Sequence, residues 1–282
     1  MKNACLVVLI LVVQVGFAQN KSELPFIEHL VNKGYYNEVI HLINTDSLNY
    51  RPAQQDSLNY FKGWANYSLK NLEQSTKSLL NVGKESSFYL KSQFFAGYNQ
   101  IFLENYSDAR EIISQMHVQD ETNLSLINFE LSGIELLQGN WTKAKELIKQ
   151  VNPNIATLNQ QVAALSQICK EQETHRSKSP LLAGVMSCII PGSGKIYSGK
   201  TGEGIAAMVA TTGFGLIAWE NYRKLGIGHV KTIFFGSIFA ANYASNIYGS
   251  VISVRIINNE YQDAVQNQIL FQLHIPLRNF FE

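Results

Sequence analysis

Apolar residues recur along this chain in two regimes. From Ser22 to Pro153 they form short stripes broken by polar turns, and from Pro180 to Val254 they form long runs with few charges. In the first regime a large apolar residue follows a turn at Tyr36, Leu72, Tyr106 and Trp141, at spacings of 36, 34 and 35 residues. Three residues on lie Val39, Ser75, Ala109 and Ala144, and seven residues on lie Ile43, Leu79, Ile113 and Ile148. Positions i, i+3 and i+7 share one helical face, so each unit is predicted to carry a second helix with a buried stripe. The turns read Lys33-Gly34, Lys70-Asn71, Glu104-Asn105 and Gly139-Asn140. Gly and Asn tolerate the left-handed backbone that ends a helix. Gly63, Gly97 and Ser132-Gly133 place small residues in the preceding helices, where they let the two helices of a pair approach closely. A period near 34 residues is that of a helix-turn-helix repeat. Tyr36, Leu72, Tyr106 and Trp141 therefore read as repeat anchors in the core. The aromatic cluster Phe88, Tyr89, Phe94, Phe95, Tyr98 and Phe102 divides between core and a binding surface, since exposed aromatics favour interfaces.

In the second regime Leu181–Ile190 is apolar but too short to cross a bilayer. The stretches 204–219 and 232–254 carry no charge. A span needs about 17–25 mainly apolar residues. The second stretch is long enough, whereas the first must extend to Glu203 and Glu220. Gly202, Ala206 and Ala210, then Gly236, Ala240 and Ala244, put small residues at four-residue spacing, which suits close packing of two membrane helices. The expectation is a transmembrane helical hairpin. Asn242, Asn246, Gly249 and Ser253 form a polar stripe in its second arm. Either they hydrogen-bond between helices or they line a small polar pathway, and the lack of any charge there favours the first.

The predicted order is a signal peptide at 1–18, a repeat domain at 22–170, a polar linker at 171–180, a membrane domain at 181–257 and a tail at 258–282. Lys2, the apolar run Cys5–Val13 and the small residues Gly16 and Ala18 carry the signal-peptide reading, with an uncleaved anchor as the other possibility. The tail is either an amphipathic helix or an extended segment at 269–275, and its apolar content argues that it docks. The connecting loop Arg223–Lys231 is basic and lacks acids, which suits the cytoplasmic side. Together these features predict an inner-membrane protein of a bacterial envelope with its repeats outside the cytoplasm.

Two resemblances attach to these residues. Gly63-Trp64-Ala65-Asn66-Tyr67, Asn105-Tyr106-Ser107-Asp108-Ala109 and Gly139-Asn140-Trp141-Thr142-Lys143-Ala144 resemble the tetratricopeptide repeat family. That resemblance implies an all-α solenoid whose concave surface binds a protein or peptide. Pro191-Gly192-Ser193-Gly194-Lys195-Ile196-Tyr197-Ser198-Gly199, followed by two apolar stretches, is similar to the P-G-x-G-x-x-Y-x-G signature of TM2-like bacterial membrane domains. Asn246-Ile247-Tyr248-Gly249 fits the same type, whereas Lys195 stands where such domains often have glutamine. This resemblance implies a membrane fold and no chemistry. The signature residues are thus Pro191, Gly192, Gly194, Tyr197, Gly199, Asn246, Tyr248 and Gly249. Pro191 stops a helix, the glycines turn the chain, and Tyr197 is suited to an interface.

Composition removes several function classes. A net charge of +1 gives no nucleic-acid footprint. Cys5, Cys169 and Cys188 form neither a disulfide framework nor a metal site, and the six histidines show no ligand spacing. Gly194 to Thr201 matches the P-loop pattern G-x-x-x-x-G-K-[ST]. No apolar run ending in Asp follows it, and the next helix is apolar all round, so nucleotide binding is not expected. The expectation is a non-catalytic interaction scaffold without cofactor or metal, its partners a protein or peptide and membrane lipids. The alternative is a component of a membrane enzyme or transport complex that uses the Pro191–Thr201 turn.

Overall fold

The structure is a computed structural model and describes residues 23–45 and 52–281. The expected signal peptide lies outside the described residues. Among the described residues the chain is all-α, with thirteen α-helices, one 3-10 turn and no strand. In chain order these are α1 (Leu24–Asn32), α2 (Tyr36–Thr45), α3 (Gln55–Ser68), α4 (Leu72–Leu79), α5 (Tyr89–Phe102), α6 (Tyr106–Ser114), α7 (Glu121–Leu137), α8 (Trp141–Lys149), α9 (Ala156–Thr174), α10 (Pro180–Ile189), α11 (Ser193–Ser198), α12 (Thr201–Leu225) and α13 (Val230–Phe281). They divide into two compact units. The first runs to Cys169 and also takes in Ile269–Glu282, and the second is Lys170–Gln268.

In the first unit helices pack mainly on their neighbours in sequence. Tyr36, Leu72, Tyr106 and Trp141 are each the first residue of the second helix of a pair, α2, α4, α6 and α8. Leu72 is buried, but Tyr36, Tyr106 and Trp141 are only half-buried. The core falls instead at the residues three and seven positions later. Val39, Ala109, Ile113, Leu79 and Ala144 are fully enclosed, and Ile43 and Ile148 nearly so. A residue at the first position of a helix has solvent beyond its end, which is why the anchors sit half out.

One turn recurs before each anchor. Gly34, Lys70, Glu104 and Gly139 all have positive φ, at 78°, 65°, 62° and 76°. The next residue, Tyr35, Asn71, Asn105 or Asn140, donates its N–H to the carbonyl five residues back, at 2.8–3.0 Å. The pattern is a Schellman stop. The left-handed residue is therefore the one before each Asn, and in two turns it is a lysine or a glutamate. A side chain there costs about 1 kcal/mol relative to glycine. Lys70→Gly and Glu104→Gly are each expected to raise the unfolding midpoint by about 2–4 °C. A melting curve of either variant at or below wild type would refute this.

Small residues set the spacing inside pairs. A Cβ on Gly63 would fall 2.6 Å from Leu79 of α4, and one on Gly97 would fall 2.6 Å from Ile113 of α6. Gly133 does not follow this rule. Its missing side chain makes room for Leu273, far along the sequence, at 2.4 Å. Within its own pair the equivalent position is Ser132, which is fully buried. An ion cluster ties the last pairs together. The Glu135 carboxylate accepts from Arg110 of α6, from Lys143 of α8 at 2.7 Å and from Asn140 at 2.8 Å. Burial pushes this carboxyl up, but those hydrogen bonds outweigh it and hold its pKa at about 2.

In the second unit α10 is capped by Ser179, whose Oγ accepts from Leu182 N–H at 3.3 Å, and it starts on Pro180. Only α12 among the described helices is long and apolar enough to cross a membrane, with mean hydropathy 1.2. This reverses the expected order of the two stretches. Helix α12 extends past Glu203 and Glu220, whereas Asn242, Ser245, Asn246 and Ser250 lower the apolarity of α13. The expected linker is not a free segment either. Helix α9 continues through it to Thr174. Beyond that, Lys178 and Asn258 exchange two hydrogen bonds at 3.2 and 2.8 Å, and the His175 ring stacks on Tyr261 at 3.8 Å.

Candidate functional site

Two arrangements concentrate polar and aromatic side chains, one in each unit. In the first unit, the first helices of successive pairs, α3, α5 and α7, face the final segment of α13. The expected tail is thus neither extended nor separate, because Ile269–Glu282 belongs to the repeat unit. Ile269, Leu270, Leu273 and Leu277 are buried at 0–7% exposure. Their spacing of three and four residues makes one helical stripe. Leu273 fills the gap at Gly133 of α7. Tyr98 of α5 donates to the carbonyl of Leu270 at 3.3 Å. The His274 ring stacks on Tyr98 at 5.0 Å and shares a hydrogen bond with the Tyr67 hydroxyl of α3. Lys91 Nζ donates to the carbonyl of Phe281 at 2.6 Å, a cation on the negative end of the helix. Phe94 and Phe281 rings lie 5.5 Å apart.

The aromatic cluster is now resolved. Phe94 and Phe95 are fully buried and Tyr98 nearly so. Phe94 and Tyr98 touch the docked segment, while Phe88 stacks on Tyr60 at 4.4 Å. Phe102 is exposed.

Glu130 of α7 is fully buried on this face, and neither carboxyl oxygen has a hydrogen-bond partner among the described residues. Burial pushes its pKa well above the ordinary carboxylate range. Burial first, and then Tyr67 and Glu130, also push the Tyr98 phenol up. Sequence reasoning passed over Glu130. The available signal was its position four residues from both Leu126 and Ile134, inside an apolar stripe.

In the second unit the signature residues gather where α10, α11 and α12 meet. Ile189 ends α10 and Pro191 follows, so the helix stop falls where expected. Gly192 has φ of 87°, and a Cβ on it would lie 2.0 Å from the carbonyl oxygen of Gly204. A Cβ on Gly194 would lie 2.0 Å from the carbonyl oxygen of Ala183. These two glycines let three backbones cross. Gly199, at φ 104°, repeats the Schellman stop of the first unit, with Lys200 N–H bonded to the Lys195 carbonyl at 3.0 Å. The Tyr197 hydroxyl accepts from Ser179 N–H at 3.1 Å and so ties down the start of α10. Gly249 adjoins the stem of Lys195. Tyr248 is exposed and outside this cluster.

The P-loop-like stretch is helical from Ser193 to Ser198. Gly194 N–H bonds Ser187 Oγ at 3.0 Å, and Gly199 N–H bonds the Ile196 carbonyl at 2.9 Å. A phosphate cradle needs such amides free. In the polar stripe of α13, Asn242 donates to the Ile238 carbonyl of its own helix at 3.0 Å, and both amide atoms of Asn246 lack partners among the described residues. Ser250, beside that stripe and not part of it, shares a hydrogen bond with Ser187 of α10 at 2.7 Å.

No family model matches the chain, and no curated protein or solved structure matches it.

Proposed function

We propose that this protein is a non-catalytic, membrane-anchored interaction scaffold of a bacterial envelope. Its repeats are of tetratricopeptide type and bind an amphipathic helix of a protein partner. Its membrane part is a TM2-like hairpin of α12 and the first half of α13, with the repeats on the periplasmic side. The observation that carries this reading is the docked segment of α13. The face of α3, α5 and α7 holds a helix through an apolar stripe, a ring stack and a cation on its end. A surface built to hold a helix of the chain itself fits a partner helix of the same pattern. The apolar length of α12 supports the anchor, since 25 residues suffice to span a bilayer.

Crosslinking and pull-down from native membranes test the reading, with Leu273→Asp as the comparison. The charge expels the docked segment and frees the face. More of a discrete partner is expected on Leu273→Asp than on wild type, and addition of Tyr98→Ala should abolish it. Equal recovery on all three proteins, or release of the chain by a carbonate wash, would sink the scaffold or the anchor respectively.

A further inference from the structure

We propose that the cavity among α11, α12 and α13 is a binding site for a phosphate group, with Lys195 as its cation and Asn246 as its buried hydrogen-bond donor. The cavity measures about 360 Å³. Its polar lining is Lys195 from α11, Glu203 and Thr211 from α12, and Asn242, Ser245 and Asn246 from α13. Three alanines of α12 keep it open.

Asn246 is 4% exposed and both its amide atoms are unpartnered among the described residues. Buried amides in folded proteins are satisfied almost without exception, so an orphan facing a cavity points to a missing partner. Its neighbours do not share the defect. Asn242 donates to the Ile238 carbonyl at 3.0 Å, and Ser250 bonds the Asn246 carbonyl at 2.8 Å.

The charge at the cavity selects an anion. The Lys195 ammonium makes no hydrogen bond to a described residue, and its carboxylate partner Glu203 is 3.8 Å away. The other oxygen of Glu203 faces Lys200 at 3.7 Å. Two cations thus share one carboxylate, which leaves one positive charge over. The stem of Lys195 runs past Gly249, where a Cβ would meet it at 3.5 Å. Donors then come from three helices: the ammonium of Lys195, the hydroxyl of Thr211, and Ser245 and Asn246. A tetrahedral phosphate presents acceptor oxygens in several directions and can meet such a set, taking from Asn246 the Nδ2 donor and not the Oδ1 acceptor. A planar carboxylate presents two. The phosphate can belong to a lipid headgroup or be free in solution.

The test uses the full-length protein in detergent and three probes: phosphatidylglycerol, inorganic phosphate and diacylglycerol. Thermal melting and native mass spectrometry read the result. Phosphatidylglycerol is expected to raise the midpoint of the wild type and to stay bound at one per chain. Lys195→Met and Asn246→Leu should each weaken binding roughly tenfold, as loss of one charged or buried hydrogen bond does. Without any probe, Asn246→Leu should melt above wild type, because the orphan amide is gone. Protection by inorganic phosphate as well would place the source in solution, and protection by phosphatidylglycerol alone would place it in the lipid. The proposal fails if diacylglycerol protects as well as phosphatidylglycerol, if both variants bind like wild type, or if Asn246→Leu lowers the midpoint of the probe-free protein.

Discussion

Leu273→Ala is expected to destabilise the repeat unit by about 3 kcal/mol and to release the end of α13 to proteolysis. Leu273 is fully buried, and its methyl groups occupy the space that a side chain at position 133 would take. The converse change tests the same contact from the other side. Gly133→Ala puts a methyl 2.4 Å from a Leu273 methyl carbon, an overlap that must be relieved by moving a buried side chain. The cost is about 1–3 kcal/mol. The two changes are predicted to be strongly non-additive, because alanine at 273 removes the atoms that clash. In the Leu273→Ala background, Gly133→Ala should cost close to nothing beyond its gain in helix propensity. Urea unfolding followed by tryptophan fluorescence gives the cycle, and a coupling of about 1 kcal/mol or more is expected for residues in contact. Additive effects within about 0.5 kcal/mol would mean that the segment does not pack there.

The contrast between Gly97 and Gly133 marks what can be read from a sequence here. Gly97 meets Ile113, and the repeat period already places those two residues opposite each other. Gly133 meets Leu273, 140 residues later. No period connects them, so a glycine one position out of register looks like a variation on its neighbours. The same limit applies to the anchors. An aromatic residue after a turn is conspicuous, and it does mark the start of each second helix. Yet Val39, Ala109 and Ala144 are better buried than the anchors that precede them. Burial is decided by which face meets the preceding helix, and the first residue of a helix lies at the edge of that face. The turns were legible for a physical reason. A left-handed residue followed by a 6→1 bond needs no long-range partner, and it recurs with nearly the same φ at residues 34, 70, 104 and 139.

In the second unit the glycines and proline of the 191–199 stretch were equally legible as a helix stop and turn. The crossing that Gly192 and Gly194 permit was not, since the partner carbonyls of Gly204 and Ala183 come from other helices. The polar stripe of α13 was visible as a stripe. Only packing shows that Ser250, outside the stripe, finds Ser187, while Asn246 within it finds no partner among the described residues.

Glu130 is expected to make the repeat unit less stable as pH rises from mildly acidic to alkaline. Its carboxyl is enclosed without a hydrogen bond, and burial holds its pKa well above the usual range. In the unfolded chain a glutamate titrates near ~4.3. Between that value and the raised folded value, the native state holds a proton that the unfolded state has lost. Stability attributable to this group is therefore complete below ~4.3 and falls by up to ~1.4 kcal/mol per pH unit until the folded value is passed. Glu135 works in the opposite sense. Its folded pKa is about 2, so its contribution is complete above the unfolded value and is lost as pH falls toward 2. The two slopes together predict a stability maximum for this unit near pH ~4–5, acidic of the usual position. Glu130→Gln removes the alkaline slope and should stabilise the protein at pH 8 while changing little at pH 4. The titratable neighbours on this face are Tyr98 and Tyr67, and His274 of the docked segment lies against both rings. The Tyr98 phenol is held up and stays neutral through this range. Persistence of the alkaline slope in Glu130→Gln would sink its assignment to the buried carboxyl.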